Sequence, residues 1–128
     1  MTARSMTTTT THRRAWLAAS GAVIAAVAIA LAAYASHGVH GVDQSRLQTA
    51  AVFAFGNGVA LAALAPSTRR PLGQLALLAL LLGLLLFSGS LTGSVLARWP
   101  TTLAPMGGLL MIGGWLVMAV DLFRRGER

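Results

Sequence analysis

Arginine is what most constrains this chain. All ten basic residues are arginines, and they divide the sequence into four long windows without a charged side chain. The first covers residues 15–42, with an apolar body over 16–34, and the second lies between Arg46 and Arg69, with its body over 49–65. The third lies between Arg70 and Arg98 and is most apolar over 72–91; the fourth covers 99–120, its body beginning near Leu103. Each body supplies roughly the 17–25 residues that a helix needs to cross the hydrocarbon core of a bilayer. A helix of that length on a soluble domain carries a polar face, and these do not.

Composition excludes the soluble alternative. The chain has 128 residues, 55% hydrophobic and 10% charged, whereas a soluble domain carries about 25% charged residues. A soluble fold of this size leaves a large share of its surface in water, so the apolar excess needs lipid as its solvent. The expected fold class is therefore all-α: a polytopic membrane protein, a bundle of four transmembrane helices. The helices are expected at about 16–35, 48–65, 72–92 and 103–123, within a transmembrane domain covering 15–123. Residues 1–14, with the run TTTTT and no apolar periodicity, read as a disordered cytoplasmic tail, and 124–128 as a basic cytoplasmic tail.

The arginines also orient the chain. Arg4, Arg13 and Arg14 precede the first span, Arg69 and Arg70 separate the second from the third, and Arg124, Arg125 and Arg128 follow the fourth. Only Arg46 and Arg98 fall on the other side, so the positive-inside bias places both termini in the cytoplasm. Trp16, Tyr34, Trp99 and Phe123 fall near the expected interfaces, where aromatic rings anchor. The stretch HRRAWLAAS resembles a twin-arginine export signal, with Ala33-Tyr34-Ala35 as an A-x-A site. Its apolar body is longer than an export signal's, and three more spans follow, so it is expected to remain as the first helix. The basic residues stand singly or in pairs rather than on one face, which excludes a nucleic-acid surface.

The polar and small residues inside the spans are few. In LFSGSLTGS (86–94), Gly89 and Gly93 stand four apart, as do Ser90 and Ser94, and Ser88 and Thr92. Small residues at that spacing let helix backbones approach closely, which drives association where lipid is as apolar as leucine. The stretch is therefore expected to form a packing seam, with a polar lining for a solute path as the other reading. Gly21, Ala25, Ala28 and Ala32 form a small stripe on the first helix; Gly107 and Gly114 share a face of the fourth, with Gly108 and Gly113 beside them. Gly56 and Gly58 flank Asn57, whose amide near mid-membrane needs partners and is expected to bond across helices.

The outer stretch SHGVHGVDQSR holds His37, His40, Asp43 and Arg46 at intervals of three, with Gly38 and Gly41 arguing for a loop. Two histidines and a carboxylate are a weak metal-ligand pattern, and an interfacial loop is the expected reading. No cysteine is present, which excludes disulfides and thiolate chemistry. No phosphate-cradling loop, metalloprotease or serine-hydrolase motif appears. Ion-coupled transporters place ionisable groups within their spans. Small multidrug exporters, also of four helices, rely on a carboxylate in the first, and this chain has none there; Asp121 stands only at the inner end of the fourth span.

Four segments in order, AAYASHG (32–38), FGNGVALAAL (55–64), LFSGSL (86–91) and APMGGLLMIGGW (104–115), give the chain a family likeness. Together they resemble the domain of unknown function 423 family, also called YgdD-like or transmembrane-protein-256-like small membrane proteins. The likeness extends over about residues 30–120, and LFSGSL and PMGG…GW are its most specific parts. It singles out His37, Gly38, Asn57, Ser88, Gly89, Ser90, Pro105, Gly107, Gly108 and Trp115 as candidate functional or packing positions. Tyr34 and Ala35 stand where the family has Phe-Gly, Thr92 where it often has Tyr, and Asn57 where its second helix has histidine. The resemblance implies a four-helix protein of the bacterial cytoplasmic membrane and implies no activity. The expected function is that of a structural or accessory membrane subunit, not an enzyme and without cofactor, metal or nucleic acid. Its partners are the bilayer and either further copies of itself or a larger membrane protein; oligomeric transport of a small solute is the alternative.

Overall fold

The computed structural model describes residues 2–127, with side chains described for residues 8, 9 and 11–127. Four helices follow one another: α1 (Thr2–Gly38), α2 (Gly41–Leu64), α3 (Pro71–Leu96) and α4 (Leu103–Gly126). A short 3-10 turn, Ala65–Ser67, follows α2, and there is no strand among the described residues. All four helices are long and apolar enough to cross a membrane, over Thr11–Gly38, Gly41–Ser67, Pro71–Leu96 and Leu103–Gly126.

Local chemistry sets the joints. Pro71 opens α3 behind an extended Arg70, the first-turn position where proline's missing N–H and fixed φ do no harm. Gly41 opens α2 at φ +68°, in the left-handed region that glycine enters without strain. That turn makes the α1–α2 connection, expected on the outer side, far shorter than the sequence implied. Only Val39 and His40 separate the helices, while His37 and Gly38 belong to α1, and Asp43 and Arg46 to α2. At the α3–α4 connection, α3 ends where Arg98 takes φ 58° and Trp99 turns back, its N–H donating to the Gly93 carbonyl at 3.1 Å.

The N-terminal stretch also departs from expectation. Residues 2–14 continue α1 instead of forming a disordered tail. At the base of that extension, Arg14 Nη1 donates to the Pro66 carbonyl at 2.9 Å and Arg13 Nη1 to Gln74 Oε1 at 3.4 Å. These tethers hold α1 at the point where the apolar span ends. Extending an existing helix is far easier than nucleating a new one, which accounts for a helical run that its own side chains do not favour.

The helices form two closely packed pairs, α1 with α2 and α3 with α4, joined by α2 against α3; α1 meets α3 only sparsely. Each pair crosses on two glycines. A methyl group on Gly21 would sit 2.5 Å from the Gly58 carbonyl oxygen, and one on Gly58 would sit 2.7 Å from the Gly21 oxygen. In the second pair, a methyl on Gly83 would sit 2.8 Å from the Gly107 oxygen, and one on Gly107 would sit 2.7 Å from the Gly83 oxygen. Backbone therefore lies directly on backbone at both crossings, an approach that only small residues permit in a membrane. Around them, Leu17, Leu61, Leu77, Leu80, Leu84 and Met118 are fully or almost fully buried, while Val27, Leu82, Leu109 and Leu116 face outward.

The contacts at the chain ends settle which helix ends lie together. Arg14 reaches Pro66, Arg13 reaches Gln74, and Gly73 packs beside Asp121. Both termini thus lie at one end of the bundle, with Arg69, Arg70, Arg124 and Arg125. We expect Gly21→Leu and Gly107→Leu each to destabilise the protein in detergent by about 1–3 kcal/mol, the usual cost of overpacking. Gly113→Leu should be neutral, because nothing lies within 4 Å of where its side chain would begin. Comparing unfolding midpoints in denaturing detergent checks this: equal losses at all three positions would remove the crossings as the seat of packing.

Candidate functional site

Asn57 lies in the middle of α2 and is 6% exposed. Its amide oxygen accepts a hydrogen bond from Trp115 Nε1 at 3.0 Å, from α4 across the bundle. Its Nδ2 donates back to the Phe53 carbonyl at 2.9 Å and meets Met111 Sδ at 3.5 Å. Met111 also packs against Gly83, one partner of the α3–α4 crossing. The second helix's only amide side chain inside its apolar body is thus tied to the fourth helix, beside the place where the third and fourth touch. The interhelical bond expected of Asn57 is present, and its partner is one of the ten positions that the sequence singled out.

The serines of α3 use their hydroxyls in the same way. Ser88 Oγ donates to the Ala50 carbonyl of α2 at 2.9 Å, and Ser90 Oγ donates to Pro100 O at 3.4 Å, across the turn into α4. Ser94 Oγ stays local, on the Leu91 carbonyl at 2.7 Å. Ser88, Ser90 and Ser94 are all buried. Lipid offers a hydroxyl no partner, so each of these serines donates to a backbone carbonyl of the protein.

The seam expected from Gly89 and Gly93 does not form as a helix–helix contact. Gly93 lies under the Trp99 ring, and Gly89 is exposed, with nothing within 4 Å of where a side chain would begin. The tight packing of α3 runs instead through Gly83, which meets Gly107 and Met111 of α4. This glycine gives no signal in the sequence, because it stands alone within leucines. Its spacing from Gly107 lies across two helices and leaves no periodic signal along either.

The remaining positions scatter. His37 is exposed at the end of α1, and the Tyr34 ring covers Gly38, so a methyl there would sit 2.6 Å from Tyr34 Cε2. Among the described residues no group of three His, Asp or Glu side chains comes close enough to hold a metal ion. Pro105 is exposed in the first turn of α4, Gly107 is buried in the crossing, and Gly108 touches the Phe87 ring edge, with Cδ2 3.8 Å from where a methyl would sit. Phe87 in turn meets Phe53 edge to face at 4.9 Å.

A second polar group lies at the arginine-rich end. Asp121 of α4 is fully buried, its carboxylate 2.8 Å from Arg125 Nη2. The approach pairs the charges without the alignment of a hydrogen bond, so both carboxylate oxygens lack a hydrogen-bond partner among the described residues. Gly73 makes room for it: a methyl there would sit 2.7 Å from Asp121 Oδ2 and 2.5 Å from Thr68 Cγ2. Thr68 itself is fully buried and donates to the Leu64 carbonyl at 2.7 Å. The sequence places Asp121 only at the end of the fourth span; in the fold it is buried, because Gly73 lets α3 close over it.

The fold and these groups together define a polytopic four-helix membrane protein whose interior polar side chains mostly tie helix to helix. The model of the family described as Protein of unknown function (DUF423) matches residues 31–108. The chain belongs to that family. No solved structure matches it. The Asn57–Trp115 bond therefore joins a residue inside the matched stretch to one seven residues beyond it.

Replacing Asn57 by Ala and Trp115 by Phe, singly and together, should give a coupling energy of about 0.6 kcal/mol and no more than about 1.7, the range of interhelical hydrogen bonds in membranes. Asn57→His, which keeps a ring-nitrogen acceptor, should retain much of the coupling. Additive single losses in the unfolding cycle would show that the two side chains do not act as a pair.

Proposed function

We propose that this protein is a structural or accessory subunit of the cytoplasmic membrane, with both termini cytoplasmic, which works through contacts between its outer helix faces and other membrane helices. The observation that carries this reading is how the polar and small residues are divided. The polar groups of Asn57, Ser88 and Ser90 are engaged in bonds within the bundle. Gly56, Gly89 and Gly113, by contrast, have no neighbour within 4 Å of where a side chain would begin. Exposed small residues on a span favour close approach by a second helix. The clefts on the surface are lined almost wholly by apolar side chains. In this reading the chain carries no catalysis, cofactor or nucleic acid of its own, and its partners are the bilayer and either further copies or a larger membrane protein.

Oligomeric permeation, the alternative, draws on Thr92 and Gly89 at the outer half of α3, which would have to meet the same residues of other copies. The deciding experiment is the mass and composition of the tagged full-length protein extracted from native membranes in mild detergent. A complex of fixed stoichiometry is expected, and Gly56→Leu or Gly89→Leu should dissolve it without lowering the protomer's own stability. A strictly monomeric, partner-free protein would overturn the accessory reading. A homo-oligomer that conducts solute in vesicles would replace it with permeation.

A further inference from the structure

Because α1 and α3 barely touch, a cleft runs between them. Its first part, about 470 Å³, is lined by Trp16, Ser20 and Val23 of α1 and by Leu81 and Leu85 of α3. A second part, about 250 Å³, continues past the shared residues Ile24 and Leu85 to Leu31 and Thr92, floored by Ala54 of α2. From Trp16 to Leu31 the cleft rises about 22 Å along α1. Its walls are apolar except for Ser20, Ser88 and Thr92.

The arginine-rich end of the cleft is polar. On α1 the lining positions 16, 20 and 24 extend back to Arg13, and on α3 the positions 85, 81 and 78 extend back to Gln74, each on the same helix face. Arg13 Nη1 bonds Gln74 Oε1 at 3.4 Å, so these two residues meet across the mouth of the cleft. Gln74 is 5% exposed, yet its Nε2 has no hydrogen-bond partner among the described residues, and neither has the buried Nε of Arg14. The unused groups of Gln74 and Arg14 beside this mouth are donors. The nearest buried carboxylate, Asp121, accepts no hydrogen bond among the described residues but has its charge paired with Arg125 at 2.8 Å. An apolar slot along the span that ends in unsatisfied cationic and amide donors has the chemistry of one class of ligand.

We propose that the α1–α3 cleft binds an anionic glycerophospholipid from the leaflet at the arginine-rich end, one acyl chain lying along Trp16 to Leu85 and its phosphate meeting Arg13, Arg14 and Gln74. Arginine suits this role, because its planar donors match phosphate oxygens and its stem packs on apolar surface. Basic residues at a membrane surface attract anionic headgroups over a short range. Gln74 adds a donor held in place by burial, which a diffuse basic rim lacks. This site does not depend on whether the protein has a protein partner.

The test is titration of delipidated full-length protein in mild detergent, followed by native mass spectrometry. The probes are phosphatidylglycerol, phosphatidylcholine with the same acyl chains, and inorganic phosphate. Phosphatidylglycerol should bind at least about tenfold more tightly than phosphatidylcholine, and Arg13→Ala with Arg14→Ala should remove that preference, a loss of about ten- to thirtyfold. Arg69→Ala with Arg124→Ala removes the same charge from exposed positions at the same end and should change it little. Ser20→Trp fills the slot and should weaken both lipids. If the double arginine variant does not fold, Gln74→Leu should lower the preference alone. Equal losses from the two arginine pairs, unchanged binding in Ser20→Trp, or displacement of the lipid by phosphate at matching concentrations would each overturn the site.

Discussion

Two glycine-on-glycine crossings hold this protein together. Lipid offers a helix pair no hydrophobic gain over staying apart, so association depends on close packing and on internal hydrogen bonds. Gly21 on Gly58 and Gly83 on Gly107 supply the first within each pair. Asn57 on Trp115 and Ser88 on Ala50 supply the second between pairs. The order matters, because the polar bonds span distances that exist only where backbones have already closed. Met111 shows the connection directly, touching both Gly83 and Asn57.

The same constraint accounts for how the polar residues are placed. A hydroxyl or amide within a span must find a protein partner, since the bilayer core supplies none. Here the mid-membrane groups find one. The unsatisfied donors and acceptors gather at the arginine-rich end instead: Arg14, Gln74, Asp121 and Arg125. That end also carries Arg13, Arg69, Arg70 and Arg124. The division separates a hydrogen-bonded interior from one end with unused polar groups, and it is the reason the cleft beside Arg13 and Gln74 carries a ligand proposal while the serines of α3 do not.

Much of the architecture was legible in the sequence. Arginine spacing gave four spans and the pairing of their ends, and the small stripe through Gly21 and the shared face of Gly107 and Gly114 did become contacts. What a helix faces was harder to read. In a soluble helix, polarity marks the outward side; in a span, lipid and core are equally apolar, so Gly89 and Gly83 look alike although one is open and the other is a crossing. The outer histidine stretch was misjudged because Gly41 reads as a loop signal, whereas here its left-handed φ starts a helix. The burial of Asp121 was not legible for a related reason: it depends on Gly73, which is distant in sequence and marked by nothing except its size.

The most direct measurement is hydrogen–deuterium exchange of the three tryptophan indole protons, followed by NMR in bilayer discs. Trp16 and Trp99 lie at the expected interfaces and are 57% and 62% exposed, so their indole protons should exchange quickly. The Trp115 ring is itself 41% exposed, but its indole proton is held on the buried Asn57; it should exchange far more slowly, and Asn57→Ala should release it. A Trp115 proton that exchanges as fast as the other two would contradict an interior locked by that bond.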